Sequence, residues 1–181
     1  MRGGWQACLC ILSAAMGLSC GSHAPSSAQG ERVAQVPKHK DVRWTVPGNW
    51  RPLGTKGEEA RYALGGAGGE EAIATVVRRK GPPEALLHLW SRELEGGFES
   101  LRRSSRKVAG FEVTIADAHG ALRTFARPGE TPEPPKAGQA LIAVTVDSTP
   151  PCSFKILGSE QAVDAARPEV ERLIASFRPV D

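Results

Sequence analysis

The spacing of apolar and polar residues from Val42 onward predicts several short strands. Apolar and polar positions alternate over Val42–Val46 and Phe111–Ile115, the period of a strand with one buried face, and Ser153–Leu157 is expected to be the last strand. Arg61–Leu64 and Ala72–Val77 are two further short strands, and Ala140–Val146 is apolar enough for a central strand. We expect turns at 47–49, 65–69 and 147–151, and a loop at 128–138, where glycines, prolines and polar residues cluster. We also expect a hairpin turn at 117–120, with 121–126 returning as the partner strand.

Two segments carry the period of an amphipathic helix. Pro82–Glu84 begins the first, whose apolar stripe is Leu86, Trp90 and Leu94, and Gly96–Gly97 is expected to end it. The second has Ser159 as its N-cap and a stripe of five apolar residues, and Pro168 either kinks it or marks where its main part begins. The stripe consists of Val163, Ala166, Val170, Leu173 and Phe177. The sequence therefore predicts an α+β domain with an antiparallel sheet of about six or seven strands flanked by helices.

The N-terminus has the layout of a secretory signal peptide. Arg2 is followed by uncharged residues as far as Gly30, and the apolar part ends near Leu18. That run is shorter than the roughly 20 residues that a membrane-spanning helix needs. Its end, Gly17–Gly21, resembles the lipobox of bacterial lipoproteins, with Ser19 in place before Cys20 and Leu18 one residue later than usual.

The lipobox resemblance implies that Cys20 is the lipid-attachment site. We expect a signal peptide at 1–19, a flexible tether at 20–40 and a folded domain at 41–181. Gly21 stands where an Asp would resemble an inner-membrane retention signal, so the resemblance favours the outer membrane over the inner. The alternatives are ordinary secretion, with cleavage after the small residues 26–28, and a retained anchor.

The order of elements resembles the PsbP-like fold and, more closely, small bacterial envelope proteins of that fold. The residues that carry the resemblance are 44–50, Arg61, 90–92, 108–113, 154–158 and 176–177. The resemblance covers about residues 40–180. It implies an antiparallel sheet flanked by helices, and it brings no catalytic residues with it.

Composition narrows the function classes further. With 23 Lys and Arg against 20 Asp and Glu, the net charge is only +3, which is not typical of a nucleic-acid-binding protein. Four cationic residues cluster between Arg102 and Lys107; we interpret them as a solvated face, the alternative being contact with anionic lipid or an acidic partner. Three of the four cysteines lie within residues 1–20, so no disulfide framework is expected.

The residue types that perform catalysis are present but not in catalytic patterns. His88 and His119 are the histidines of the domain, His23 and His39 belong to the tether, and Cys152 is interpreted as a small buried residue. The carboxylate pairs 58–59 and 70–71 are interpreted as solvated rather than metal-binding. The glycine run 65–69 lacks the ending of a phosphate-binding loop.

The sequence therefore predicts a non-enzymatic accessory or protein-binding module, anchored in the bacterial cell envelope and facing the periplasm or the cell exterior. Its partners are a membrane, through the lipid, and a protein, with no nucleic acid, metal or cofactor. The alternatives are a periplasmic hydrolase without a recognisable motif and a soluble secreted binding protein.

Overall fold

The computed structural model describes residues 40–55, 57–65, 71–97, 99–124, 129, 131 and 133–180. The expected signal peptide and the expected tether up to residue 39 lie outside the described residues. Nine strands and two helices follow one another in the described part. They are β1 (Val42–Arg43), β2 (Trp50–Leu53), β3 (Ala60–Gly65), β4 (Glu71–Arg78), α1 (Pro83–Ser91), β5 (Arg102–Val108), β6 (Phe111–Leu122), β7 (Lys136–Val146), β8 (Cys152–Ser159), α2 (Glu160–Ala175) and β9 (Arg178–Pro179).

Seven of the strands form one antiparallel sheet in the order β2-β3-β4-β8-β7-β6-β5. β1 and β9 pair separately, with Val42 opposite Pro179. The predicted α+β class, with an antiparallel sheet of six or seven strands and flanking helices, is confirmed. β7 lies inside the sheet, between β6 and β8, as its apolar sequence predicts.

Each face of the sheet is covered by one helix. α2 packs mainly on β3, β4, β7 and β8, and its buried side chains meet one alternate set of strand residues. Phe154 and Phe177 stack within that core, with ring centroids 5.6 Å apart. α1 covers part of the opposite face, where Leu87 and Trp90 pack on Leu141 and Ala143 of β7. Neighbouring residues of β7 therefore belong to different cores, because successive side chains of a strand point to opposite faces.

The hairpin expected at 117–120 is wrong. Residues Phe111–Leu122 form one continuous strand, β6, and its hairpin partner is the basic segment β5 on its N-terminal side. The polar residues that suggested a turn contact other elements instead, since Asp117 forms an ion pair with Arg167 of α2. Gly120 lies under the loop after α1, where an added Cβ would come within 2.7 Å of the Glu95 carbonyl oxygen. In this strand, the residue types that are typical of turns have other roles: Asp117 binds an arginine of α2, and Gly120 lets the loop after α1 approach the strand closely.

Both predicted helices are present with different ends. α1 ends at Ser91, before the expected Gly96–Gly97, and Leu94 instead pairs with Leu122 of β6 as an isolated β-bridge. In α2 the predicted cap is confirmed, because the Ser159 hydroxyl accepts a hydrogen bond from the Ala162 amide at 3.2 Å. The helix runs without interruption through Pro168.

The first predicted strand is shorter than expected. Val42–Val46 is predicted as one strand, but only Val42–Arg43 pairs, and it pairs with the far end of the chain at β9. Trp44 leaves the strand to pack edge-on against Phe154, with ring centroids 5.1 Å apart. Alternation in this segment therefore reflects packing against the α2 core as well as strand pairing.

Candidate functional site

The basic cluster of the sequence is an edge strand of the main sheet. β5 pairs with β6 on one side, and no strand in the described part of the chain pairs with its other side. We call residues 102–107 the basic edge. All six are exposed, and four of them are cationic: Arg102, Arg103, Arg106 and Lys107. A long edge strand of this kind presents backbone donors and acceptors as well as charge.

The hairpin geometry defines which backbone groups of the basic edge point outward. β5 and β6 are joined by the two residues Ala109 and Gly110, with φ of 49° and 91°, as a type I′ turn requires. Val108 and Phe111 close the hairpin and exchange both of their backbone hydrogen bonds. Since bonded and non-bonded pairs alternate along an antiparallel ladder, the N–H and C=O groups of Lys107 and Ser105 point away from β6.

Acidic side chains accompany the cations on the α2 side of the basic edge. Arg106 forms an ion pair with Glu171 of α2. Arg102 lies opposite Asp117 of β6, whose Oδ1 is 2.6 Å from Nη1 of Arg167. On the opposite face, Lys107 lies across from the exposed Glu112. Opposite charges directly across a ladder stabilise the pairing of the strands.

A groove lies between α2 and the basic edge, and we call it the α2 groove. It has a volume of about 480 Å³ and exists because α2 packs mainly on strands farther along the sheet. Its floor is apolar, formed by Ile115, Ile142 and Val170. Ser104 stands at its rim, directly opposite Ile115 on β6. Because the serine side chain is small, Ile115 can be reached from the outer side of β5.

A second concavity, of about 400 Å³, lies on the α1 face of the sheet. Arg61, Thr75 and Lys155 occupy adjacent positions on β3, β4 and β8, so their side chains share one face. Both cations already have acidic partners: Arg61 contacts Glu58 at 3.0 Å, and Lys155 contacts Glu93 at 2.8 Å. Their positive charge is therefore largely balanced within the protein.

Cys152 is buried, as the sequence predicts. Burial raises the pKa of its thiol to about 12, and the nearby Arg78 guanidinium offsets only part of this effect. A thiol with so high a pKa stays protonated at neutral pH and is a poor nucleophile.

The two histidines of the domain lie apart from each other. His88 is exposed on α1, and His119 lies within β6 rather than at a turn tip. Nδ1 of His119 is 3.6 Å from a carboxylate oxygen of Glu160 at the start of α2. The hydroxyls of Ser91 and Ser100 donate to the main-chain carbonyl oxygens of His88 and His119, at 3.0 and 3.5 Å respectively, so these contacts do not involve the imidazole rings.

The carboxylates of the pairs 58–59 and 70–71 lie beside arginines where the structure describes them. Glu58 pairs with Arg61, Glu59 with Arg78 and Glu71 with Arg51, whereas Glu70 lies outside the described residues. Within the described ranges, no group of three or more metal-ligating side chains occurs.

The predicted lipid-attachment site, Cys20, lies outside the described residues and stays a prediction. None of the helices in the described ranges is long and apolar enough to cross a membrane.

Sequence reasoning missed that the basic cluster is a strand with an open side. The available signal was the small pair Ala109–Gly110 between Val108 and Phe111, which is a hairpin pattern. The cations Arg61 and Lys155 were also missed. They lie on separate strands, and only the sheet order brings them together.

Comparison with known proteins shows a structural likeness at low sequence identity. No family model and no curated protein sequence matches the chain. Among solved structures, the chain is similar to LpqN, described as involved in cell envelope biogenesis of Mycobacterium tuberculosis. The identity is 10% and the TM-score 0.47, over 82% of this chain and 88% of that one. A likeness at this level supports no conclusion about the role of this chain.

Proposed function

We propose that this protein is a non-enzymatic lipoprotein of the bacterial cell envelope, whose folded domain binds a protein partner. The observation that supports binding is the basic edge: six exposed residues of the seven-residue strand β5, with an open side, beside a groove with an apolar floor. Proteins usually shorten, cover or twist such strands, or line them with charged residues that disfavour pairing with a strand of the same charge. An exposed strand of this length, with outward backbone groups and four cations, is suited to hold an acidic protein surface.

Anchoring rests on the sequence around Cys20. Two acyl chains on the thiol-linked glyceryl group and a third on the amine would hold the protein stably, whereas a single chain binds a membrane only marginally. The tether from 20 to 40 would separate the domain from the bilayer. Gly21 favours the outer membrane as the destination.

Metabolic labelling tests the anchor. Cells expressing the full chain are grown with labelled palmitate, and we expect the label on the wild-type protein and none on Cys20→Ala. Cys10→Ala, within the expected signal peptide, is the matched control and should keep the label. Label that persists in Cys20→Ala would refute the assignment of the site.

Crosslinking in intact cells tests partner binding. Photo-crosslinking residues are placed one at a time on exposed positions over the whole domain, including β5, α1 and α2. We expect one partner protein to be recovered in near-stoichiometric amount from a contiguous set of positions. If no position on any face gives a crosslinked protein while the chain is correctly localised, the protein-binding function is refuted.

A further inference from the structure

We propose that the basic edge takes an extended acidic segment of a partner protein as an additional antiparallel strand of the main sheet. This proposal rests on the protein-binding function proposed above and specifies its site and the chemistry of its partner. β5 is already ordered as a strand by its pairing with β6. An incoming segment would therefore find its template formed, so the cost of ordering falls on the segment alone.

The backbone provides the first part of the recognition. The N–H and C=O groups of Lys107 and Ser105 point away from β6, and no strand in the part of the chain that the structure describes pairs with them. A segment running antiparallel to β5 would exchange hydrogen bonds with both residues. The residues of the segment opposite Lys107 and Ser105 would place their side chains on the α1 face of the sheet.

Charge excludes a second copy of this chain as the occupant. If two β5 strands paired with each other, arginines and lysines would lie opposite or diagonal to arginines and lysines across the new ladder. The expected tether 20–40 is also a poor match, because it holds Glu31 against Arg32, Lys38 and Lys40. An acidic segment from another protein has the complementary charge.

The side-chain environment differs between the two faces of the added strand. On the α1 face, the segment would lie beside Ser105 and Lys107, which favours acidic residues. On the α2 face, it would lie beside Ser104, which stands between Arg102, opposite Asp117, and Arg106, paired with Glu171. The small serine leaves Ile115 and Val170 of the α2 groove within reach. The expected segment therefore alternates acidic residues with apolar ones.

An anionic lipid surface is the less favoured occupant of the basic edge. A bilayer would press against the acidic residues that accompany the cations, Glu171 and Asp117 on one face and Glu112 on the other. It would also leave the outward backbone groups of Ser105 and Lys107 without a specific partner. Phospholipid vesicles are included in the test for this reason.

The test uses a synthetic peptide of alternating Glu and Val, equal in length to β5, with a fluorescent label. Binding to the full-length protein is measured by anisotropy. We expect saturable binding that weakens as salt is raised. A peptide of alternating Lys and Val should not bind. Failure of the Glu–Val peptide to bind, or equal binding of both peptides, would overturn the proposal.

Backbone methylation tests the register. In the proposed ladder the Glu amides face β5 and the Val amides face solvent. N-methylation of the Glu amides should weaken binding by about tenfold or more, the effect of losing one or two hydrogen bonds. N-methylation of the Val amides should leave binding within about threefold, since those groups have no partner on β5. Equal loss from both methylations, or greater loss from the Val amides, would overturn the proposed pairing.

Charge-neutralising variants test the site on the protein. The double variant Arg103→Gln with Lys107→Gln, the two β5 cations on the face that the Glu side chains would occupy, should reduce affinity for the Glu–Val peptide by about tenfold. Arg79→Gln with Lys80→Gln, two exposed cations beyond the end of β4, removes the same charge elsewhere and should leave affinity nearly unchanged. Equal loss in both pairs would mean that general charge attraction causes the binding, and would overturn the assignment to β5.

The cell crosslinking experiment separates this inference from the proposed function. A partner captured from positions on β5, with loss of capture in the Arg103 and Lys107 variant, supports both. A partner captured only from other faces supports the proposed function and overturns the β5 site. Binding of the full-length Cys20→Ala protein to phosphatidylglycerol vesicles that is lost when Arg103 and Lys107 are also neutralised, without binding of the Glu–Val peptide, would replace the protein segment with a lipid surface.

Discussion

At the scale of single residues, Arg78 joins several parts of the fold. Its guanidinium forms ion pairs with Asp41 and Glu59, and its Nη2 donates to the Val42 carbonyl oxygen at 2.8 Å. The same group lies 5.0 Å from the centroid of the Trp44 ring. One planar cation thus connects the end of β4 to the first strand of the domain, in a geometry that lysine could not reproduce.

The thiol of Cys152, close to Arg78, leads to a prediction about pH. Its pKa is raised from 9.0 to about 12 by burial, so the folded state holds its proton more tightly than the unfolded state does. The resulting stability is fully present below pH 9.0 and is lost as the pH rises from there towards 12. We expect the free energy of unfolding in urea to fall more steeply across this window in the wild type than in Cys152→Ala.

Thiol labelling provides an independent check on Cys152. Because its side chain is fully buried, a thiol reagent should modify it only when the protein opens. Cys8, Cys10 and Cys20 are replaced by Ala in this experiment so that Cys152 is the single cysteine. Rapid modification of the native protein would contradict the buried position.

At the scale of elements, the β5–β6 hairpin departs most from its sequence prediction. Its turn places Ala109 at a φ of 49°, a left-handed conformation that costs an L-residue other than Asn or Gly roughly 1 kcal/mol. An alanine is therefore an unfavourable residue at the turn that presents the basic edge.

Substitutions in this turn should change stability in opposite directions. Ala109→Asn should raise the free energy of unfolding by about 0.5–1 kcal/mol, since Asn adopts this conformation more readily. Gly110→Ala should lower it by about 1 kcal/mol, because its φ of 91° suits glycine. Urea denaturation measures both, and a destabilised Ala109→Asn would contradict the turn geometry.

The elements differ in how far the sequence could predict them. The apolar spacing in α2 predicted its buried face, because a long amphipathic helix repeats its signal over several turns. Its Ser159 cap was also predictable, since capping depends on local chemistry. β6 was misread because Asp117 and Gly120 look like turn residues, and their contacts with Arg167 and the Glu95 carbonyl come from distant elements.

At the scale of the whole domain, the two faces of one sheet line two separate hydrophobic cores. Alternate residues of β7, such as Leu141 and Ile142, pack under α1 and under α2 respectively. Because the two cores share strands, a change that disrupts the strands under one helix also disrupts the packing of the other helix. We therefore expect residues 40–180 to unfold as one cooperative unit.

Matched truncations on the two faces test this cooperativity. Leu87→Ala, in the α1 core, and Leu173→Ala, in the α2 core, each remove a buried side chain and should cost about 2–5 kcal/mol. Unfolding in urea, followed by far-UV circular dichroism and by tryptophan fluorescence, should give a single coincident transition in both variants. A separate early transition in Leu87→Ala alone would show that α1 unfolds independently.

The candidate site could be predicted only in part. The cluster Arg102–Lys107 was visible in the sequence as a charged run, and contact with an acidic partner was among its interpretations. That it forms an edge follows from the order of seven strands, which local pattern does not contain. The α2 groove likewise depends on how much of the sheet α2 covers. That is decided by tertiary packing, which leaves Ile115 of β6 and Val170 of α2 lining the groove.

The pairing of β1 with β9 determines how the connectivity of the domain could be changed by circular permutation or fusion. Val42 lies opposite Pro179, and the Val180 amide donates to the Asp41 carbonyl oxygen at 2.9 Å, so both ends of the folded domain leave from one place. A short linker could join them, and new chain ends could be opened in the loop between β6 and β7, a circular permutation that keeps every strand pairing. A reporter protein fused after residue 181 would be attached next to β9. Because β9 pairs with β1 and is not part of the seven-stranded sheet, the fusion would not extend either edge strand of that sheet.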